Sequence, residues 1–158
     1  MPRGHIKIRK IPLLPDEKFS NLSIAKFMNY IMLNGKKNVA TKIVYQAIEI
    51  AGAELSVEPL DLFDQALRNV GPILEVKSKR IGGANYQVPM EVSRDRRGTL
   101  AMRWIIGAAR AGKGRPMAEK LAAELIAAYK GEGAAIKKKE DTHRMAEANK
   151  AFAHFARF

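Results

Sequence analysis

Lysine and arginine side chains occur in five clusters that interrupt the apolar pattern of the chain. The clusters occupy residues 3–10, 36–37, 77–80, 94–97 and 137–139. Arginine can bind a phosphate through two parallel hydrogen bonds, whereas lysine attracts it as a compact point charge. Each cluster alone is typical of a solvated charge run. Together the five clusters predict phosphate contacts spread over a large surface.

The charge of the whole chain supports a polyanionic partner. Its 158 residues include 28 Lys+Arg and 16 Asp+Glu, which gives a net charge of +12. Residues 1–48 carry nine basic and two acidic side chains, residues 49–75 one and six, and residues 76–158 eighteen and eight. A basic excess of this size favours nucleic acid over a membrane surface. Because residues 49–75 are acidic, we predict that the basic side chains form one binding surface. A separate face of the protein would then point away from the polyanionic partner.

One stretch resembles a nucleotide-binding loop but lacks its chemistry. Residues 107–114 read Gly-Ala-Ala-Arg-Ala-Gly-Lys-Gly, close to the GxxxxGK[ST] pattern. Gly114 has no hydroxyl to hold magnesium, and the stretch ends a predicted helix instead of joining a strand to a helix. We therefore interpret Gly112 as a helix terminator.

Enzyme chemistry is not predicted anywhere else in the sequence. The chain has no cysteine, and His5, His143 and His154 are scattered. No catalytic or calcium-loop pattern is present, so we expect no enzyme activity, no cofactor and no metal. Residues 11–14 are too short for the apolar core of a signal peptide, and no run approaches the roughly 20 apolar residues of a membrane span. These features predict a cytoplasmic protein without a membrane partner.

A β-hairpin is predicted near the middle of the chain. Tyr86, Val88, Met90 and Val92 alternate with polar or small residues. The pair at 82–83 is Gly-Gly, which suits a tight two-residue turn. That turn would place Lys79 opposite Tyr86 and Lys77 opposite Val88. Pro89 cannot donate a ladder hydrogen bond, so we expect the hairpin to stand alone and to need support from elsewhere.

Helices are predicted on both sides of the hairpin, after a basic extended arm at residues 1–18. The fold class is therefore mainly α, with about six helices in a single bundle-like domain and one protruding two-stranded β-hairpin at 73–92. Apolar residues at helical spacing and their flanking caps and breakers predict the helices. Their ranges are about 20–33 (capped by Ser20), 36–51, 59–70, 95–111, 116–129 and 134–155.

Two details of these helices bear on the site. In the second helix, Val39 and Ile50 are expected to face the core, and Gly52 to end it. The last segment, a polar helix and tail at 134–158, is expected to pair Lys137 with Asp141 and Glu140 with Arg144. Its aromatic residues predict a docking stripe in preference to base stacking, and they are Phe152, Phe155 and Phe158.

Four motifs, in order along the chain, resemble those of bacterial small-subunit ribosomal protein number seven. They are Asn-Gly-Lys-Lys at 34–37, Gly-Gly-Ala-Asn-Tyr-Gln-Val-Pro at 82–89, Leu-Ala-Met-Arg-Trp at 100–104, and Lys-Lys-Lys-Glu-Asp at 137–141 with Met-Ala-Glu-Ala-Asn at 145–149. The resemblance covers essentially the whole chain. Two departures are Ser93-Arg94-Asp95, where the family usually has a proline, and the ending Phe155-Ala156-Arg157-Phe158.

The resemblance implies a structural constituent of the small ribosomal subunit. The family binds the 3′ major domain of small-subunit ribosomal RNA (rRNA) directly and early, which nucleates assembly of the head. It lies near the exit-site transfer RNA (tRNA) and the path of the messenger RNA (mRNA). Its protein neighbours are small-subunit ribosomal proteins nine and eleven. The hairpin and the C-terminal region are implied to face the exit site.

From the basic clusters and this resemblance we predict a set of RNA-binding residues in a single rRNA-binding domain spanning 1–158. Tyr86 is expected either to stack on a base or to pack within the protein. The predicted residues are Arg3, Lys7, Arg9, Lys10, Lys36, Lys37, Lys77, Lys79, Arg80, Tyr86, Arg94, Arg96, Arg97, Arg110, Lys113, Arg115, His143 and Arg144. The alternative is a DNA-bending architectural protein with a basic β-ribbon arm.

Overall fold

The computed structural model describes residues 12–157, and within the last segment the side chains up to Phe155. The described part is mainly α, with one antiparallel hairpin, which confirms the predicted fold class. In chain order, the elements are α1 (Leu22–Ile31), α2 (Lys37–Leu55), α3 (Pro59–Val70), β1 (Leu74–Ile81), β2 (Ala84–Glu91), α4 (Arg94–Ala111), α5 (Met117–Lys130), α6 (Ala134–Ala148) and a 3-10 helix (Lys150–Arg157).

The core lies between the helices, with α5 packed against α2, α3, α4 and α6. Phe27 and Phe63 meet edge to face with ring centroids 5.2 Å apart, and both are fully buried. Leu121 and Leu125 of α5 are also inaccessible to solvent. Burying side chains of this size contributes about 1.5–3 kcal/mol each relative to leaving them exposed. This core fixes the helix ends from which most of the predicted RNA-binding residues project.

The start of α1 differs from the prediction that Ser20 caps it. Ser20 has a φ of 49°, whereas an N-cap residue needs an extended backbone. Asn21 has that backbone, and its side chain accepts hydrogen bonds from the backbone N–H groups of Ser23 and Ile24. The buried Asp16 accepts from the N–H of Asn21 and from the Tyr45 hydroxyl, so it ties this entry segment to α2.

Two predictions for α2 were wrong: the residue at which the helix ends, and the burial of two apolar residues. Gly52 does not stop the helix, which continues to Leu55 and ends at Ser56 in the left-handed conformation. Gly52 is buried because α3 crosses it closely: a Cβ at that position would lie 3.2 Å from Cγ of Pro59. Val39 and Ile50 are exposed, although the apolar period places them inward.

The remaining helices follow their predictions more closely. α3 spans Pro59–Val70 as predicted, and the side chain of Asn69 donates to the carbonyl oxygens of Ala128 and Tyr129, both at 2.9 Å. These carbonyls lie in the last turn of α5, where helical backbone partners run out, and that of Ala128 also accepts from the N–H of Gly131 at 3.2 Å. α4 begins at Arg94 after Ser93, close to the predicted start.

The C-terminal segment is two elements instead of the single helix predicted over 134–155. α6 ends at Ala148, and the chain then tightens into the 3-10 helix. The ion pair observed in α6 joins Asp141 to Arg144, three residues apart, instead of the predicted pairs four residues apart. In this 3-10 helix, Phe152 and Phe155 lie against Tyr86 of the hairpin.

Candidate nucleic-acid interface

The hairpin has the predicted turn and register. Gly82 and Gly83 both have positive φ (56° and 89°), which a two-residue turn of this type requires and glycine adopts without cost. Lys79 lies opposite Tyr86, and Lys77 lies opposite Val88. The sequence therefore predicted which cations share the ribbon with the aromatic ring.

In the described part of the chain the hairpin pairs with no further strand, as predicted, and its expected support comes from the C-terminal segment. The C-terminal 3-10 helix packs on β2, and α6 packs on β1. The ring centroid of Tyr86 lies 5.3 Å from that of Phe152 and 5.2 Å from that of Phe155. Nζ of Lys79 donates to the carbonyl oxygen of Phe155 at 3.2 Å. The hairpin thus gains the support that two strands lack in water, and Tyr86 packs within the protein.

An acidic residue on β1 organises the cations at the base of the hairpin. Glu75 accepts from Nε and Nη2 of Arg96 at 3.3 and 3.2 Å, and its other oxygen lies 3.3 Å from Nζ of Lys77. Arg96 and Lys77 remain about half exposed, at 46% and 53% of their side-chain surface. The carboxylate is much less exposed and holds both cations on one side of the ribbon. These two predicted residues are therefore positioned by the fold and still open to solvent.

Arg97 and His143 are bonded to the backbone that leads into the hairpin. Nε of Arg97 donates to the carbonyl oxygen of Gly71 at 3.1 Å. Nε2 of His143 accepts from the backbone N–H of Ile73 at 3.1 Å. Burial lowers the pKa of His143 below its ordinary value of 6.5, and the charges of Lys139 and Arg97 lower it further. His143 therefore accepts a hydrogen bond from the protein's own backbone and lies near the charges of Lys139 and Arg97.

A second group of predicted cations lies where α1 and α4 end and where α2 and α5 begin. Lys36 and Lys37 are exposed at the start of α2, and Lys113 and Arg115 are exposed in the loop between α4 and α5. Nη2 of Arg110 donates to the carbonyl oxygen of Ile31, the last residue of α1, at 3.2 Å. Lys36 and Arg110 line the same groove. The fold therefore brings the basic cluster at 36–37 near predicted cations that lie outside the five clusters.

Three more of the predicted RNA-binding residues lie in the part of the chain that the structure describes. Arg80 is exposed near the tip of the hairpin, Arg94 is exposed at the start of α4, and Arg144 pairs with Asp141. Arg3, Lys7, Arg9 and Lys10 lie outside the described residues.

Arg103 and Lys139 were not among the predicted RNA-binding residues, although Lys139 belongs to the basic cluster at 137–139. The guanidinium of Arg103 lies over the Tyr30 ring, 5.4 Å from its centroid. Nζ of Lys139 donates to the carbonyl oxygen of Asn69 at 2.7 Å. No sequence signal predicts either contact, because both join residues far apart in the chain. On α4, Arg103 lies about two turns from Arg96 and about two turns from Arg110, on a similar side of the helix, and this spacing is the sequence signal that could have identified it.

Among residues 12–157, no three His, Asp or Glu side chains come together in a way that could hold a metal ion. None of the helices described there combines the length and the apolarity that a membrane crossing requires.

The fold and the arrangement of its side chains define a basic, mainly α-helical protein with a braced β-hairpin and two groups of exposed cations. Sequence comparison gives the family. The family described as "Ribosomal protein S7p/S5e" matches residues 2–150, so the chain belongs to that family.

Individual relatives agree with this assignment. The chain is similar to proteins named "Small ribosomal subunit protein uS7" from Chloroflexus aggregans (55% identical, 99% of each chain), Thermotoga maritima (57%, 98% of this chain and 99% of the relative) and Cellvibrio japonicus (52%, 98% and 99%). Membership makes the chain a structural constituent of the small ribosomal subunit. The family is not enzymatic, in agreement with the sequence prediction.

Proposed function

We propose that the protein binds the 3′ major domain of small-subunit rRNA directly and early, and so nucleates assembly of the head of the subunit. In the assembled subunit it lies near the exit-site tRNA and the mRNA path, beside small-subunit ribosomal proteins nine and eleven. The family resemblance supports these specific assignments. The mechanism is to clamp several RNA helices through phosphate contacts, which lowers the free-energy cost of folding that RNA domain.

The observation that carries the proposal is the separation of the exposed cations into two groups. The hairpin group comprises the exposed Lys77, Arg80, Arg94, Arg96 and Arg97 with the half-buried Lys79, and the helix-end group comprises Lys36, Lys37, Arg110, Lys113 and Arg115. Two groups held by one rigid helical core can bind two segments of RNA and fix their relative position. His143 and Arg144 are assigned to the first group, and the arm residues Arg3, Lys7, Arg9 and Lys10 add contacts.

The described contacts support a braced hairpin that presents its cations without first having to become ordered. The C-terminal helix packs on Tyr86, and Glu75 holds Arg96 and Lys77. Side chains that are already ordered lose less conformational entropy when RNA binds to them. This favours the hairpin as a defined RNA contact near the exit site.

A competition filter-binding experiment tests the proposal. The protein should retain small-subunit rRNA at physiological salt in the presence of excess random duplex DNA. With about eight phosphates neutralised, the logarithm of the association constant should fall with the logarithm of salt concentration with a slope of roughly −6 to −7. Tighter binding to the duplex DNA would favour the DNA-bending alternative and reject rRNA binding as the function.

A further inference from the structure

An open groove lies where four helix ends meet: the end of α1, the start of α2, the end of α4 and the start of α5. Its volume is about 480 Å³, within the range of small-ligand sites. The floor and walls include Leu33, Val39, Ile43 and Met117, and the charged lining residues are Lys36 and Arg110. None of the residues that line it is acidic.

The apolar side chains of this groove are unusually open to solvent. Leu33 is 63% exposed and Val39 is 53% exposed. The apolar period of α2 predicts Val39 in the core, and the fold leaves it on the surface instead. Apolar side chains gathered in an exposed concavity mark a binding site more often than scattered ones do.

The backbone beside the groove is held in a turn that ordinary residues avoid. Asn34 and Gly35 have φ values of 52° and 71°, in the left-handed region. The N–H of Lys36 donates to the carbonyl oxygen of Leu33 at 3.0 Å and closes the turn. The turn sets Leu33 and Lys36 on the same groove, so an apolar wall and a cation are placed together. A left-handed non-glycine residue costs free energy, which a functional position can justify.

Arg110 supplies a fixed planar cation at the groove wall. Its Nη2 donates to the carbonyl oxygen of Ile31 at 3.2 Å, at the end of α1 where that carbonyl has no partner within the helix. A guanidinium has five donors, so this bond leaves others for a ligand. The groove therefore combines an apolar interior with two cations in its lining, Lys36 and Arg110.

We propose that this groove binds an unpaired nucleobase of the RNA, with the base on the apolar floor and against the Arg110 guanidinium, and with its phosphate near Lys36. The inference rests on the proposed RNA-binding function and deepens it. Unstacked bases bind to apolar and guanidinium surfaces in this way, and the flanking phosphates need cations. A single-stranded loop or bulge of rRNA supplies both an unpaired base and its phosphates. The helix-end group would therefore bind an exposed base as well as phosphates.

The test compares Val39→Gln with Ile50→Gln in the full chain. Both replace an exposed apolar residue of α2 with the same neutral side chain, and Ile50 is 41% exposed in a different cleft. Val39→Gln should lower rRNA affinity about tenfold, since one base contact is weakened. Its salt slope should be unchanged, because no phosphate contact is lost. Lys36→Gln should instead reduce the magnitude of the slope by about 0.7–0.9.

Base-specific chemical probing of the complexes locates the contact. One base or a few neighbouring bases protected by the wild-type protein should lose protection with Val39→Gln and keep it with Ile50→Gln. Equal affinity and protection for the two variants would overturn the inference. So would normal RNA binding by Val39→Gln combined with loss of a protein from a reconstituted subunit, since the occupant would then be a polypeptide. Failure of the wild-type protein to prefer rRNA over duplex DNA would instead reject the proposed function itself.

Discussion

The rings of Tyr86 and Phe152 lie 5.3 Å apart, which joins the second strand of the hairpin to the C-terminal 3-10 helix. Phe155 contacts the same tyrosine at 5.2 Å, and its carbonyl oxygen accepts from Lys79 across the turn-proximal end of the ribbon. The aromatic stripe predicted in the C-terminal segment is therefore used for docking at Phe152 and Phe155. The hairpin and the C-terminal 3-10 helix therefore form one structural unit.

Replacing Phe152 with alanine should loosen this unit while the helical core stays folded. An aromatic pair contributes about 0.5–1.5 kcal/mol beyond the area it buries. A double-mutant cycle with Tyr86→Ala and Phe152→Ala, followed by chemical denaturation, should give a coupling free energy of this size. Hydrogen exchange of the β1 and β2 amides should accelerate in the Phe152→Ala variant.

Tyr86→Phe is the matched control for that variant, because it keeps the ring and should leave exchange in the hairpin near the wild-type rate. A coupling free energy of zero between positions 86 and 152 would show that the two rings do not hold the hairpin.

Much of the fold was predictable because its signals are local. Pro59 at the first helical position and Gly71-Pro72 after the last one mark both ends of α3. Gly82-Gly83 fixes the turn, and the turn then fixes the strand register. Local signals failed at α2, because an apolar period shows which side chains share a face and not whether another element covers it. Val39 and Ile50 share that failure.

Outside the register of the hairpin, the candidate site was predictable by residue type and not by pairing. Clusters of lysine and arginine were visible in the sequence, but the contacts of Glu75 with Arg96 and of Ile73 with His143 join separate elements. The packing of Phe152 on Tyr86 is likewise long-range. Such contacts depend on the assembled core, and no spacing rule within one helix or strand predicts them.

His143 should make the base of the hairpin sensitive to mild acid. Its pKa is lowered from 6.5 in the folded protein, chiefly by burial and then by Lys139 and Arg97, so the unfolded chain binds this proton more readily. The stability that neutral His143 contributes is therefore present above about pH 6.5 and is lost as the pH falls through the lowered pKa. Protonation also removes the acceptor for the N–H of Ile73.

Denaturation of the wild type and of His143→Gln between pH 5 and 8 measures this effect. Glutamine offers an acceptor oxygen without titrating, so the variant should lose less stability than the wild type as the pH falls. The protection factor of the Ile73 amide should follow the same trend. Parallel pH curves for the two proteins would contradict a role for His143 protonation.

Glu124 should have the opposite pH dependence. Its Oε1 accepts from the N–H of Ala135 at 2.8 Å at the start of α6, yet burial raises its pKa above 4.5 despite the bonds from Ala135 and Ala134 that lower it. The folded protein therefore binds this proton more readily than the unfolded chain. Its contribution to stability is present below about pH 4.5 and is lost as the pH rises through the raised pKa.

Glu124→Gln keeps an acceptor and removes the charge, so its stability relative to the wild type should increase as the pH rises from 4 to 7. Glu124→Ala removes the acceptor as well and should be less stable than Glu124→Gln throughout, because the N–H of Ala135 loses its partner. Thermal unfolding of the three proteins across this pH range checks both statements. A stability difference between Glu124→Gln and the wild type that does not vary with pH would refute the first.

The tip of the hairpin should contribute phosphate contacts that can be counted from salt dependence. Arg80 is exposed beside the turn, whereas Lys130 is exposed at the end of α5 in a cleft whose other charged lining residues are Glu54, Glu119, Glu132 and Arg115. Arg80→Gln should reduce the magnitude of the salt slope for rRNA binding by about 0.7–0.9, the value for one phosphate. Lys130→Gln makes the same change of net charge on the acidic side and should leave the slope unaltered. Equal slopes for the two variants, measured by filter binding over a range of salt concentrations, would mean that the effect of Arg80 is one of total charge and that the tip makes no specific contact.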